Sequence, residues 1–168
     1  MKRFLHAGLA LLIAIQLFGC GYSFTGTNID PAVQTYQVNF FQNRAQLIEP
    51  GIDRDFTLAL QDLIQNQTRL DLVNVNGDLV YDGEITRYFI APMTSTANNT
   101  AQENRLTIDI NLRFTNTVTP DEDFERRYSF YFDYPGNQQL VGGALDTAIE
   151  FIYERITQDM FNDTLARW

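Results

Sequence analysis

The chain has 168 residues, 45% of them hydrophobic, and a formal net charge of −9. It contains one cysteine and one histidine, so an internal disulfide framework is excluded. The acidic balance argues against a nucleic-acid partner and against bulk attraction to anionic lipid headgroups.

The N-terminus has the organisation of a secretory signal peptide. Lys2 and Arg3 form a positive n-region, and residues 9–18 form an apolar h-region interrupted only by Gln16. This apolar run is too short to span a bilayer, which takes about 20 residues. We therefore predict a cleaved signal peptide over residues 1–19.

The residues at the predicted cleavage site, Leu-Phe-Gly-Cys over 17–20, resemble a bacterial lipobox. The resemblance implies cleavage before Cys20, a diacylglyceryl thioether on its sulfur and an acylated amine. Three acyl chains at about 0.8 kcal/mol per buried methylene make an effectively permanent anchor. We predict lipidation of Cys20 and a tether over 20–32; the alternative is an ordinary signal peptide with a chance cysteine.

Removal of the signal peptide restricts the chemistry of the mature chain. Lys2, Arg3 and His6 leave with it, so the formal charge becomes −11 and neither lysine nor histidine remains. Ser-His-Asp and Cys-His catalysis are thereby excluded, as are the usual zinc sites. We expect no cofactor and no enzymatic activity.

The first half of the mature chain predicts a strand, a helix and two further strands. Residues 33–41 alternate apolar and polar side chains as a strand does. Residues 51–68 carry an apolar stripe at helical spacing. A short strand is expected over 70–75, merging into a longer strand over 79–90, in which Gly83 suggests a bulge.

The second half predicts a loop, two strands and a helix. Residues 92–104 are polar and are expected to form a hairpin loop. Residues 106–114 form a strand in which five apolar side chains alternate with polar ones, and Thr115 continues the polar set; this indicates a sheet with one dry and one wet face. A strand over 124–134 and an amphipathic helix over 138–165, with Val141 in its apolar stripe, complete the order.

These elements predict a single domain over 33–168 of the α+β class. The order β-α-β-β-β-α, with one apolar stripe on each helix, favours two helices on the same face of a sheet of about four strands. Strands joined by turns should be antiparallel, whereas the first helix allows one parallel pair. The prediction is a two-layer sandwich with a mixed, mostly antiparallel sheet.

Three side chains on the predicted wet face are candidates for binding a partner. Arg113 and Arg127 are placed to hold a phosphate or a partner carboxylate together, and Tyr131 lies on the same face. The alternative is ordinary surface pairing of the arginines with Asp109 or Asp133.

Two further motifs give weaker indications of a binding site. Residues 121–125 form an acidic cluster at a turn, but an EF-hand spacing is absent, which favours a solvated loop over a calcium site. Gly142 and Gly143 are not part of a phosphate-loop pattern, and we expect them to let the last helix begin close to its neighbour.

Several segments in order resemble the LptE family of lipopolysaccharide-assembly lipoproteins, in the form found in Bacteroidota-like bacteria. They are Cys-Gly-Tyr-Ser-Phe-Thr-Gly over 20–26, Phe-Phe-Gln-Asn-Arg-Ala over 40–45, Gly-Asp-Leu-Val-Tyr-Asp-Gly-Glu-Ile-Thr over 77–86, Asn-Arg-Leu-Thr-Ile over 104–108 and Asp-Met-Phe-Asn-Asp over 159–163, continuing to Trp168. The resemblance implies a two-layer α/β sandwich and a non-enzymatic accessory protein. Such proteins plug the large LptD β-barrel, help it fold and assist delivery of lipopolysaccharide to the outer leaflet.

The resemblance also implies partners and a location. We expect an LptD-like outer-membrane β-barrel as partner, lipopolysaccharide as a further ligand, and attachment to the outer membrane through Cys20. No acidic residue follows Cys20 closely, which by analogy favours the periplasmic face. Because the mature chain is acidic and lacks lysine, the barrel-plug role is favoured over direct lipopolysaccharide binding.

Two other functions remain as alternatives. A periplasmic carrier of a lipid or small apolar ligand would need a concave apolar pocket. A hydrolase would need a close pair of carboxylates in a cleft.

Overall fold

The computed structural model describes residues 29–47, 49–93 and 103–166. Cys20 and the predicted signal peptide lie outside the described residues, as do most of the tether and residues 94–102 of the predicted loop. The strands and helices are β1 (Thr35–Val38), β2 (Gln42–Asn43), α1 (Ile52–Gln67), β3 (Asp71–Leu72), β4 (Leu79–Met93), β5 (Glu103–Asn116), a 3₁₀ turn (Pro120–Glu122), β6 (Phe124–Pro135) and α2 (Gly143–Leu165).

The strands form one mixed sheet in the order β3-β1-β4-β5-β6, with β2 paired to β4. The pairs β1–β3, β1–β4 and β2–β4 are parallel, and the long pairs β4–β5 and β5–β6 are antiparallel. The prediction of a mixed, mostly antiparallel sheet is confirmed, with six described strands instead of about four. The predicted strand at 70–75 does not merge into β4, because β3 pairs with β1 on the side away from β4.

Both helices pack on one face of this sheet, so the predicted two-layer α+β sandwich is confirmed. Helix α1 contacts β1, β2 and β3, helix α2 contacts β5 and β6, and the helices contact each other. Tyr153 of α2 donates a hydrogen bond to the carbonyl of Ile52 at 2.9 Å, which joins the helices at the start of α1. Phe56 contacts Phe41 and Tyr153 edge to face, with centroids 5.0 and 5.1 Å apart.

The inner face of β5 forms the centre of the core. All five predicted apolar positions, from Leu106 to Phe114, are buried with at most 1% of their surface exposed. Burying an aliphatic or aromatic side chain of this size stabilises a fold by about 1.5–3 kcal/mol. The alternation in this strand therefore predicts its orientation correctly.

The irregularity of β4 lies at a different residue from the predicted one. Pairing with β5 shifts register between Ile85 and Arg87, which leaves Thr86 as the bulge. Gly83 instead permits a close approach, because a Cβ there would lie 2.1 Å from the carbonyl oxygen of Asn111 and 2.6 Å from a ring carbon of Phe41. The expectation of a bulge at Gly83 is wrong.

The last helix begins five residues later than predicted. Gly142, at φ +55°, precedes the first helical turn, and Val141 lies outside the helix with 64% of its surface exposed. A Cβ on Gly142 or Gly143 would meet nothing within 4 Å. The expectation that these glycines allow a close neighbour is therefore wrong, whereas the rest of the predicted stripe is buried.

Within the part of the chain that the structure describes, neither helix combines the length and apolarity needed to cross a membrane.

Candidate functional site

The face of the sheet opposite the helices is the open face, and charged side chains dominate it. Register places Asp82 of β4, Arg113 of β5 and Glu125 of β6 in one row across the sheet. The Thr86 bulge shifts the alternation of β4 by one residue. As a result Arg87, Asp109 and Ser129 form another row on the open face. All three predicted binding residues, Arg113, Arg127 and Tyr131, belong to this face.

Arg113 pairs with a carboxylate on the neighbouring strand. Its guanidinium Nη1 lies 3.1 Å from Oδ2 of Asp82, and 63% of its side chain is exposed. Exposed pairs of this kind contribute about 0–1 kcal/mol. The predicted pairing of Arg113 with Asp109 or Asp133 is wrong, because the register sets Asp82 opposite it.

Arg127 covers a buried carboxylate. It donates a short hydrogen bond from Nη2 to Oδ2 of Asp109, whose side chain is only 1% exposed. Arg87 Nη1 lies 4.0 Å from the same oxygen, so two guanidinium groups share one carboxylate. The other oxygen, Oδ1, has no hydrogen-bond partner among the described residues. The predicted Arg127–Asp109 pairing is confirmed.

Tyr131 lies in a second cluster on the same face. The guanidinium of Arg105 lies 3.6 Å from its ring centroid, a cation–π contact. Arg105 also donates to both carboxylate oxygens of Asp133 at 2.6 and 2.7 Å. These hydrogen bonds lower the pKa of Asp133 and raise that of Arg105. Tyr131 keeps 44% of its surface exposed and accessible to a partner.

The three predicted residues form a band and do not converge on one point. In the β5–β6 register, Arg127 lies opposite Asn111, diagonal to Arg113. Tyr131 is four residues further along β6, about 13 Å at the usual strand rise. Because the two arginines turn to different carboxylates, they form no joint phosphate clamp. Their role in binding a partner stays a prediction.

Sequence reasoning missed Arg87 and Arg105 as members of the band, and it missed the burial of Asp109. The alternation of β5 places Asp109 on the open face, but its burial depends on arginines from both neighbouring strands. Arg87 reaches that face beside Asp109 only because the bulge at Thr86 changes the alternation of β4. Spacing along the chain contains no signal for that register.

A groove lies beside this band, along the outer side of β4. Its volume is about 570 Å³, and Leu47 and Gln46 line one side while residues 86–90 line the other. Arg127 of β6 also lines it. The lining therefore combines apolar side chains with two guanidinium groups.

The acidic turn has a local structural role. Asp123 accepts a hydrogen bond from the backbone N–H of Asn116 at 2.7 Å, and Glu122 accepts one from its side-chain amide at 2.7 Å. Among residues 29–47, 49–93 and 103–166, no group of acidic, cysteine or histidine side chains is arranged to hold a metal ion. These contacts close the β5–β6 connection.

Solved structures resemble this fold to different degrees. A hypothetical protein from Chlamydia trachomatis aligns with a TM-score of 0.52 at 8% identity, covering 80% of this chain and 99% of its own. A minor lipoprotein from Acinetobacter baumannii aligns at 0.45 and 14% identity, covering 80% and 97%. The rare lipoprotein B from Shewanella oneidensis aligns at 0.42 and 11% identity, covering 76% and 89%. No curated protein matches the chain in sequence.

The two-layer fold and its charge-paired open face define a small α+β domain with a charged, uncovered sheet face. A model of the LptE family, described as lipopolysaccharide-assembly, matches residues 33–164. Because this match spans the whole described sheet and nearly all of α2, the chain belongs to the LptE family. Its role thus lies in lipopolysaccharide assembly.

Proposed function

We propose that the protein is a non-enzymatic outer-membrane lipoprotein that plugs and helps assemble an LptD-type β-barrel. In this role it assists the transport of lipopolysaccharide to the outer leaflet. The observation that carries the proposal is the family match over residues 33–164. The barrel is the partner that the family resemblance implies.

The open face supports the plug role. A domain inside a water-filled lumen needs a polar surface whose charges are largely compensated. The guanidinium groups of Arg105 and Arg113 each pair with a carboxylate on a neighbouring strand. Such a surface offers many hydrogen-bond donors and acceptors without a large apolar patch.

A lipid anchor at Cys20 would favour one orientation within the barrel. Ile29 lines one cavity together with Leu79, Asn116 and Leu165, at the end of the sheet where β4 begins. Eight residues lie between Ile29 and Cys20, and the nine steps that join them span at most about 32 Å. Lipidation of Cys20 would therefore keep this end near the membrane, whereas the far end of β4 lies about 48 Å away along the strand.

Three measurements test the proposal together. Extraction of membranes with a mild detergent should co-purify the chain with an outer-membrane barrel. Depletion of the chain should lower the amount of folded barrel and sensitise cells to large hydrophobic antibiotics. Cys20→Ser should release a folded protein from the membrane, because Cys20 precedes every described element.

The carrier alternative predicts a different result. A purified sample would then contain bound lipid, and depletion would leave barrel levels unchanged. The structure gives this alternative less support, because Tyr36, Phe56 and Tyr81 fill the space between sheet and helices with essentially no exposed surface.

A further inference from the structure

Half of β4 has an open backbone edge. From Leu79 to Ile85 its outer side pairs with β1 and β2. Beyond Ile85, among the residues that the structure describes, no strand pairs with that side, while pairing with β5 continues to Met93. A row of unpaired backbone groups is a template for strand addition. We call residues 87–93 the open β4 edge.

The hydrogen bonds on the paired half show which groups face outwards. The carbonyl oxygens of Tyr81 and Ile85 accept from Asn39 and Arg44, each at 2.8 Å, on the side away from β5. Hydrogen-bonded and non-hydrogen-bonded pairs alternate along an antiparallel ladder. Arg87 is the next residue after Ile85 that pairs with β5. Its backbone N–H and C=O groups therefore point towards β5.

The backbone groups of Tyr88, Ile90 and Pro92 therefore face the open side. Proline has no N–H to leave unpaired, so Pro92 occupies a position that edge strands tolerate. The open β4 edge thus offers two donors, from Tyr88 and Ile90, and three carbonyl acceptors.

The groove described above lies beside the first half of this edge. Residues 86–90 form one wall, and Leu47, which is exposed, forms part of the other. Phe89 has 47% of its surface exposed, and Ile90 and Met93 are also exposed. A peptide lying in the groove would meet both the backbone groups and these apolar side chains.

The charge in the lining of the groove specifies the peptide further. Arg87 and Arg127 share the single carboxylate of Asp109, whereas Arg105 and Arg113 each have a carboxylate of their own. Two guanidinium groups therefore share one carboxylate here, while Glu125, another carboxylate of this face, accepts a hydrogen bond from the side-chain amide of Asn111. A carboxylate from a partner would restore the one-to-one pairing.

We propose that the open β4 edge binds an extended segment of the partner barrel protein as an added strand, with an acidic residue of that segment seated at Arg87 and Arg127. The inference rests on the proposed function for the source of the segment. The outer edge of β6 is the competing site; it carries Glu125, Arg126, Arg127 and Asp133, the kind of charge that protects an edge.

Hydrogen exchange tests the proposal directly. The full lipidated chain, extracted with its partner in mild detergent, is compared with the purified Cys20→Ser protein alone. We expect the amides of Tyr88 and Ile90 to exchange rapidly in the isolated protein and slowly in the extract. The outward amides of β6, such as those of Ser129 and Tyr131, should exchange equally in both.

A matched pair of variants tests the charge. Arg87→Gln should lose the added protection while leaving Asp109 paired with Arg127. Arg54→Gln, on α1 and paired with Asp55 away from this face, should keep it. Thermal melts of both isolated variants establish that they fold, and a loss of protection by both variants would overturn the acidic contact.

The outcomes separate this inference from the proposed function. A barrel that co-purifies without slowing exchange at Tyr88 and Ile90 overturns the inference and leaves the function standing. Slow exchange at Tyr88 and Ile90 in an extract that contains no barrel overturns the proposed plug function. It also overturns the barrel protein as the source of the added strand. Protection confined to the β6 edge, or no protection in an extract without a barrel, also overturns the inference.

Discussion

The two faces of β5 are built on different principles. On the inner face, Ile110 lies among apolar side chains between the sheet and the helices, with no exposed surface. On the open face, its neighbour Asp109 is almost equally buried, yet the side chains that cover it are arginines from β4 and β6. Burial on the first face is hydrophobic, and burial on the second depends on ion pairing.

This difference affects how each face responds to change. The hydrophobic effect is non-directional, so the inner face depends on the size and polarity of its side chains. Ion pairing depends on geometry and on the presence of both partners. The strand register therefore affects stability far more on the open face. Single substitutions there should differ in their stability cost even between residues that look equivalent in sequence.

The largest effect is expected from a charge on the inner face. Ile110→Asp would bury an unpaired carboxylate and lower the free energy of unfolding by about 5 kcal/mol, comparable with the whole stability of a small domain. Thr115→Asp adds the same group to the half-buried open side of β5 and should cost less than about 1 kcal/mol. Denaturant titration of both variants measures the contrast, and equal costs would contradict the assigned faces.

A smaller loss is expected at the closest backbone approach. Gly83→Ala would place its Cβ against the Asn111 carbonyl and the Phe41 ring and should cost about 3 kcal/mol by overpacking. Gly143→Ala, at the first helical position with open space around it, should be neutral or stabilise by up to about 1 kcal/mol. Thermal melts of the two variants should shift in different directions or by clearly different amounts.

Two arginines on the open face should differ in importance. Arg127→Ala leaves buried Asp109 with only Arg87 at 4.0 Å and should cost about 2 kcal/mol. Arg113→Ala removes an exposed pair with Asp82 and should cost less than about 1 kcal/mol. If chemical denaturation ranked Arg113 above Arg127, ion pairing would not explain the burial of Asp109.

The smallest effect is expected on the stability of the fold at acid pH. Hydrogen bonds from Arg105 lower the pKa of Asp133 from its ordinary value of 3.8. A lowered folded pKa stabilises the protein above the unfolded value, and this contribution is lost as pH falls through the folded pKa. Asp133→Asn should therefore cost a few tenths of a kcal/mol at neutral pH and reduce the loss of stability below about pH 4. Melts across this range measure the slope.

The inner half of the fold follows from local sequence patterns. The alternation from Leu106 to Phe114 and the helical stripe of α1 both reflect burial on one face, which a periodicity detects. The strand order is harder, because β3 is only two residues long and pairs with β1 across the intervening helix.

The candidate site follows from the sequence only in part. The outward direction of Arg113, Arg127 and Tyr131 is set by alternation and was predictable. Apart from Asp109 as the partner of Arg127, the groups that these side chains contact were not predictable. The Thr86 bulge and the cross-strand register decide which groups meet. The open β4 edge depends on where β2 ends, and two-residue strands leave no periodic signal.

The most direct test of the proposed role is the mass of the complex that mild detergent releases from membranes. Native mass spectrometry should find the lipidated chain bound one-to-one to an outer-membrane β-barrel that acts in lipopolysaccharide export. A chain released alone, with the barrel folded and abundant in cells that lack it, would contradict the plug role.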